Sequence, residues 1–463
     1  MRSDGAIKKI GFVAFSNIIK LISSILIAFV IPNLLGLTNY GYYKVFVLYL
    51  TYIGLFHFGF IDGIYLKFGG LSYEELDKGS FRSYFRFLLY LELIVTSIGL
   101  VVSLFFIQGE KQIIFILLSL NLIAINLTTY YQFISQITSR FKEYSSRLII
   151  LSITNILIVA YLYLMNISDY RIYIGLIVAV NYLLLLWYVY TYKDITIGKA
   201  DKFYNTKNDI AFFFKTGIPL LLANLAATFV MTVDKQIVEL LFSVEVFGVY
   251  SFAYSMLAMI TVVVSAVGVV LYPTLKKTSI ENIPQNYSNL NFVIILVVLV
   301  GLLGYYPLLW IIPRYLPNYS ESLIIFRVAL PGLVLTSSIM AIKHNFFKIT
   351  NKNISFFVLG VIAIVCNIGL NLAAFYIYGT TLSIAISSII GISLWYITTE
   401  IYMRVNYNIK WRSNAFLIIA GISAFYMLTE LSNYILSGLL YAVFLVIIMG
   451  LYHKKVMSFL NIR

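Results

Sequence analysis

TNYGYYKVFVLYL (Thr38–Leu50) is answered later in the chain by EVFGVYSFAYSML (Glu245–Leu257). Aligned without gaps, Gly41 falls on Gly248, Tyr43 on Tyr250 and Leu50 on Leu257. The same register places Lys8 on Lys215, Asn17 on Asn224, Leu34 on Leu241 and Ile53 on Ile260. A repeat over so long an interval implies two copies of one structural unit. Composition says what kind of unit.

Of 463 residues, 61% are apolar and 11% are charged, and the mean hydropathy is +0.92. A water-soluble fold of this length needs far more polar surface. Apolar runs of 18 residues or more recur from end to end, each long enough to cross a hydrocarbon core of about 30 Å. The short segments of alternating polarity that mark a membrane β-barrel are absent from the sequence. The chain therefore reads as an all-α polytopic membrane protein.

About fourteen spans are expected, near 10–34, 40–66, 83–107, 112–138, 146–166, 171–192, 209–241, 246–275, 287–312, 321–349, 354–377, 381–403, 413–431 and 434–454. The first follows Arg2, Lys8 and Lys9, with no small-residue cleavage site after a short core, and is read as an uncleaved helix. The two copies of the opening stretch each begin an even-numbered span, six spans apart, and so share orientation. A parallel repeat of this kind relates two bundles by an axis along the membrane normal. The expected organisation is a six-helix bundle over 1–200, a second over 201–405, and two extra helices over 406–463. The polar stretch TYKDITIGKADKFYNTKND joins the bundles.

Net charge is +14, and its distribution sets orientation rather than pointing to nucleic acid. The tails and every second loop hold most of the basic residues, including Lys67, Lys78, Arg82, Arg86, Arg140, Lys142, Arg147, Lys193, Lys199, Lys277, Lys343, Lys348, Lys410, Lys454, Lys455 and Arg463. The opposite loops hold only Lys111, Arg171 and Arg314. By the positive-inside rule the rich face, with both termini, is cytoplasmic, and attraction to anionic membrane lipids is secondary. The single cysteine, Cys366, sits in an apolar segment and forms no internal disulfide.

Enzyme chemistry has little footing. No G-x-x-x-x-G-K-[ST] loop occurs, the nearest fragment being GKA at Gly198. His57, His344 and His453 lack zinc-ligand spacing, and no external loop is large enough to carry a glycosyltransferase or polymerase site. No cofactor or metal is expected.

Charges inside membrane segments are costly and are functional candidates by default. Lys20 lies 11 residues beyond Lys9, roughly 17 Å along a helix and near the bilayer midplane. Its helix carries a polar stripe of Ser16, Asn17, Lys20, Ser23 and Ser24, facing helices or a watery cavity. The seventh span carries a second stripe of Asn224, Thr228, Thr232, Lys235 and Glu239, with Asp234 beside it. Lys235 lies about 30 Å from Lys215, where an interfacial ion pair competes with a site role. Arg327 precedes Pro331-Gly332, an expected kink. Asp62 and Glu92 are placed near cytoplasmic helix ends, lining an inner vestibule or pairing with Lys67 and Arg86. Glu400 and Arg404 read as a helix-end ion pair, and Asn126, Asn181, Asn367 and Asn371 as glue between helices.

FFFKTGIPLLLANLAATFVMTVDKQIVELLFSVEVFGVYSFAYSML (Phe212–Leu257), followed by GVVLYPTLKK (Gly268–Lys277), resembles the polysaccharide transporter family. These are O-antigen-type, lipid-linked oligosaccharide flippases of the MOP superfamily, which also holds MATE drug exporters. The shared features are Lys215, Gly217 and Pro219, the Asp234–Lys235 pair, Gly248, Tyr250 and Ser251, and Tyr272-Pro273. Gly41 and Tyr43 match the family's start to the second helix.

The resemblance implies two six-helix bundles around a central cationic cavity, working by alternating access in a bacterial cytoplasmic membrane. The implied partner is a polyprenyl pyrophosphate-linked oligosaccharide, alongside membrane lipids and other polysaccharide-assembly proteins, with no nucleic acid. It assigns substrate-contacting roles to Asp234 and Lys235, and extends them to Lys20, Asn17, Asn224 and Arg327, with Asp62 and Glu92 as ion-coupling or vestibule groups. The competing class is a cation-coupled, MATE-like exporter of small molecules, which calls for acidic residues deep in the first bundle.

Overall fold

The structure, a computed structural model, describes residues 2–276, 283–407 and 412–453. Side chains are described from residue 11 onward, except at 14, 203–205, 262–276, 283–286 and 412–413. Among the basic residues used above for orientation, Lys277, Lys410, Lys454, Lys455 and Arg463 lie outside the described residues.

All described secondary structure is helical. In chain order the α-helices are α1 (Arg2–Leu50), α2 (Phe60–Phe68), α3 (Lys78–Phe106), α4 (Glu110–Ile137), α5 (Phe141–Leu164), α6 (Tyr170–Thr191), the single turn α7 (Lys193–Thr196), α8 (Phe203–Val230), α9 (Val233–Leu241) and α10 (Val244–Lys276). They continue with α11 (Ile283–Gly301), α12 (Tyr305–Tyr315), α13 (Ser322–Ala329), α14 (Gly332–Ser337), α15 (His344–Ile349), α16 (Asn353–Tyr378), α17 (Thr381–Tyr407), α18 (Arg412–Thr429) and α19 (Tyr434–Leu451).

Eleven described helical stretches are long and apolar enough to cross a membrane, or up to 12 when the bent pair Ser322–Ala329 and Gly332–Ile349 is one span. The stretch Gly11–His57 is 47 residues long, length enough for two crossings. It breaks at Gly36, whose φ of 70° lies outside helical geometry. Asn414–Thr429 is a shorter apolar helix. Each of the fourteen expected segments thus has a helical counterpart. The bend at Pro331 is 45°, as a proline inside a span leads one to expect.

The chain divides into two compact units: residues 1–228 with 242–248, and residues 229–241 with 249–463. In the first, α1 packs along α5 and touches α4 and α6, while α3 and α6 flank α4. Its core is aromatic. Phe60, Tyr84, Tyr130, Tyr131, Tyr188, Tyr192 and Phe213 are buried together with Ile64 and Ile134, and Tyr131 stacks on both Tyr188 and Tyr192 at 5.6 Å. In the second, α16 and α17 form the tightest helical pair, and α11 packs against α14 and α18.

The repeated glycines allow a close backbone approach within the first unit. A Cβ on Gly41 would lie 2.2 Å from the Val244 carbonyl oxygen, and one on Gly248 would lie 3.2 Å from the Cα of Gly41. Thr38 Oγ1 donates to Glu245 Oε1 at 2.9 Å. Gly41 meets Gly248 and Thr38 meets Glu245, so equivalent positions of the two copies of this stretch touch.

The joining stretch is not a slack tether. Arg82 donates to the carbonyls of Asp194 at 2.8 Å and Lys199 at 3.0 Å. Arg86 donates to Gly198 O at 2.7 Å, and Ser83 to Asp201 O at 2.7 Å. The start of α3 therefore holds this segment as a strap on the first unit.

Two expected spans are interrupted. Between α1 and α2 the chain runs through a 3-10 turn, Ile53–His57, and the left-handed Phe58 and Gly59. Gly59 is needed there: its φ is +79°, and a Cβ would sit 2.6 Å from the Gly217 backbone. The expected span 209–241 is likewise two helices, α8 and α9, broken between Val230 and Val233.

Candidate functional site

Backbone groups freed by a helix break need partners when they are buried. At the first break Asn126 Nδ2 donates to the Ile53 carbonyl at 3.2 Å, and to both carboxylate oxygens of Glu92 at 3.0 Å. Glu92 and Asn126 are each 0% exposed. This corrects the placement of Glu92 at a cytoplasmic helix end. α3 begins at Lys78, so Glu92 is fourteen residues in, about 21 Å along the helix. Asp62 is buried in the first turn of α2 with His57 Nδ1 at 3.9 Å from its Oδ2. Lys67, its expected counterion, pairs with Asp209 at 2.6 Å. Arg86, the expected counterion of Glu92, serves the strap instead.

At the second break Asn367 Nδ2 donates to the Val230 carbonyl at 3.3 Å. Asn371 Nδ2 donates to Asn367 Oδ1 at 2.9 Å, and its own Oδ1 accepts from Ser387 at 2.5 Å and Ser388 at 3.1 Å. Four polar side chains from α16 and α17 thereby stabilise an interrupted α8–α9. Asp234, in the first turn of α9, is buried and accepts from Tyr250 Oη at 2.8 Å and from Tyr254 Oη. The Lys235 ammonium lies over the Tyr254 ring, 4.8 Å from its centroid. The Asp234–Lys235 pair is thus held in the second unit by two tyrosines of α10.

The polar stripe on α1 resolves into two kinds of residue. Ser16 and Ser23 are buried, and Ser23 donates to Ser152 O of α5 at 3.1 Å. Asn17 is half-buried and bonds back to Val13 O at 2.8 Å. Lys20 is exposed and feels the charge of Arg147 from α5. Arg147 was counted among the loop cations, but α5 starts at Phe141, which carries it into the helix. The Gln132 amide, oriented by its hydrogen bonds, accepts from Arg147 at distances from 2.6 to 3.1 Å. Asn224, half-buried on α8, contributes its backbone carbonyl to Thr228 at 2.9 Å. Arg327 forms an ion pair with Glu430 at 2.9 Å.

One site went unread in the sequence. Lys343 ends a π-helical segment, Ser338–Lys343, and is 0% exposed. Its ammonium lies 3.1 Å from Glu400 Oε2, donates to Tyr396 O at 2.9 Å and Thr399 Oγ1 at 3.2 Å, and sits 3.4 Å from the Tyr396 ring centroid. Glu400 also takes Arg404 at 2.8 Å and Tyr287 Oη at 2.5 Å. The helix-end pair is in fact a buried, four-residue network. The only sequence signal was Glu400 and Arg404 one turn apart; Lys343 is too distant in sequence to link to them.

Comparison with known proteins bears on the fold. No family model matches the chain, and no curated protein matches its sequence. Among solved structures, the lipid II flippase MurJ in an inward closed conformation superposes with a TM-score of 0.71 at 14% identity, over 97% of this chain and 100% of that one. An inward-facing multidrug resistance MATE transporter of the MOP superfamily gives 0.63 at 13% identity, over 85% and 98%. A MOP superfamily transporter from Pyrococcus furiosus, described for the reverse polarity of its binding pocket, gives 0.62 at 14%, over 87% and 96%. The chain has the fold of these multi-pass membrane transporters.

Proposed function

We propose that the chain is a flippase that moves a polyprenyl pyrophosphate-linked oligosaccharide from the cytoplasmic to the outer leaflet by alternating access. The observation carrying this reading is Lys20 of α1 within electrostatic reach of Arg147 of α5, two cations from different helices of one unit. Like charges brought together inside a membrane are unfavourable unless an anion joins them, and a pyrophosphate supplies one through charge-assisted hydrogen bonds. Crossing hydrocarbon unaided would leave the glycan hydroxyls without partners, so a polar path is required while the lipid tail stays in the bilayer. An inside-negative potential favours outward movement of the anionic head by about 2.3 kcal/mol per charge per 100 mV.

In this reading Lys20, Asn17, Asn224, Asp234, Lys235 and Arg327 line the route, both termini are in the cytoplasm of a bacterial cell, and the membrane is the cytoplasmic one. Two six-helix repeats, 1–200 and 201–405, supply the alternating frame, and 406–463 adds two helices. Polysaccharide-assembly proteins are the expected partners.

A second reading, a cation-coupled exporter of small molecules, is favoured by one observation: Glu92 is buried at mid-helix, accepting from Asn126, and the same unit buries a second carboxylate, Asp62, beside His57. The two are separated in proteoliposomes. The flippase reading expects headgroup translocation of a lipid-linked sugar, lost in Lys20→Ala and Arg147→Ala without loss of thermal stability. Export of a cationic dye, with no lipid-linked sugar moved under any gradient, would overturn it.

A further inference from the structure

A cavity of about 420 Å³ opens in the first unit where the break of α1 meets the first turns of α4 and α6. Its lining includes Asn39, Tyr42, Glu110, Ser168, Tyr170 and Arg171. That volume is within the range of small-ligand sites. The end of the unit it occupies carries the basic-poor loops with Lys111 and Arg171, the outer face under the proposed function.

The charged groups here already satisfy one another. Arg171 makes two hydrogen bonds to Glu110, at 2.6 and 2.7 Å, and Tyr170 Oη donates to the same carboxylate at 2.5 Å. Asp169 accepts from the Arg171 backbone N–H at 2.8 Å. What remains open is neutral. Among the described residues, the side chains of Asn39, Tyr42 and Ser168 make no hydrogen bond to the protein. The Tyr42 ring is braced by Tyr170, with centroids 5.0 Å apart and planes at 32°, and Tyr170 is fixed by its bond to Glu110.

We infer that this cleft binds a short saccharide as a glycan exit site. An amide, two hydroxyls and a braced aromatic face match a ligand with many neutral hydroxyls and an apolar ring face. A phosphate would find its cation already paired, and a lipid tail would meet polar walls. A rigid, prebuilt lining limits the ordering cost that weak sugar binding must overcome. The inference rests on the flippase reading for its orientation and its source of glycan.

The test uses the full chain in lipid nanodiscs, probed by saturation-transfer NMR with free mono- to tetrasaccharides of hexose, N-acetylhexosamine and uronic acid types. A polyprenyl pyrophosphate-linked N-acetylglucosamine is run alongside. At least one sugar is expected to bind, with affinity falling tenfold or more in Tyr42→Ala and in Asn39→Ala, while Tyr42→Phe keeps the stacking face and most of the affinity. Competition by free sugar supports a general exit site, and binding only of the lipid-linked probe supports a site for the cargo in transit. If neither a free nor the lipid-linked saccharide binds, or bound saccharide ignores both alanine variants, or only a cationic dye occupies the cleft, the inference falls. Wild-type translocation of lipid-linked sugar in proteoliposomes, measured in parallel, then tells that failure apart from failure of the flippase reading.

Discussion

Consider removing the two ends of the buried Lys343–Glu400 pair separately and together. Lys343→Met removes three polar contacts, to Glu400, Tyr396 and Thr399. Side-chain hydrogen bonds between membrane helices average about 0.6 kcal/mol, which sets the loss near 2 kcal/mol. Glu400 keeps Arg404 and Tyr287 in that variant, so no bare charge is left. Glu400→Gln is a different perturbation. It leaves Lys343 and Arg404, with side chains 0% and 8% exposed, facing a neutral amide. Breaking a buried pair in this sense costs about 3–5 kcal/mol. In the double variant only Arg404 remains, near the end of α17 where its head can reach the interface. The two losses are therefore expected to fall short of additivity by about 1–3 kcal/mol. Reversible unfolding in mixed detergent micelles measures all four corners of the cycle. A Glu400→Gln loss no larger than that of Lys343→Met, or additivity within about 0.5 kcal/mol, would refute the idea that this network is an electrostatic unit.

Three further outcomes follow from single contacts. Gly41→Val pushes a side chain into the Val244 carbonyl, where a Cβ would stand 2.2 Å from the oxygen; overpacking of this kind costs about 1–3 kcal/mol, read as a lower thermal midpoint. Asn126→Leu strands the Ile53 carbonyl and one face of Glu92, about 1–3 kcal/mol for the orphaned acceptor, and should change the ion dependence of transport if Glu92 couples to it. At the start of α3, the Ser80 hydroxyl and the N–H groups of Ser80 and Gly79 hold the Asp77 carboxyl below its ordinary range. A lowered carboxyl contributes stability that is present above its unfolded value and lost as pH falls through the folded one, so wild type and Asp77→Ala should differ near neutrality and converge in acid; a constant difference across an acid titration would show that the charge plays no part.

Helix content was legible because it has a local signature. Apolar run length gave the spans, whereas the repeat marked Gly41 and Gly248 as equivalent positions and did not reveal that they touch. Pro331 announced its own bend. Side-chain partnerships were not legible. Arg147 and Lys343 were counted with the loop cations although each falls inside an expected span, because a charge near a span's end is ordinarily a flanking one. Glu92 was misplaced because α3 starts several residues before its apolar run, which moves every position deeper into the helix.

The buried amides show why that kind of error matters. Read from sequence, Asn126 and Asn367 were glue between helices. In the structure each donates to the carbonyl at an interruption, Ile53 in one unit and Val230 in the other. Irregular backbone survives at membrane depth only where protein groups satisfy it, so these amides are conditions for the breaks and not ornaments on them. Each also binds a second polar centre: Asn126 holds Glu92, and Asn367 accepts from Asn371, which Ser387 and Ser388 anchor. A change of charge or occupancy at either centre must alter the bond that its amide gives to the break. Helix breaks and polar centres are thereby one mechanical element in each unit, which is what the proposed alternating access requires if binding is to shift the balance between conformations.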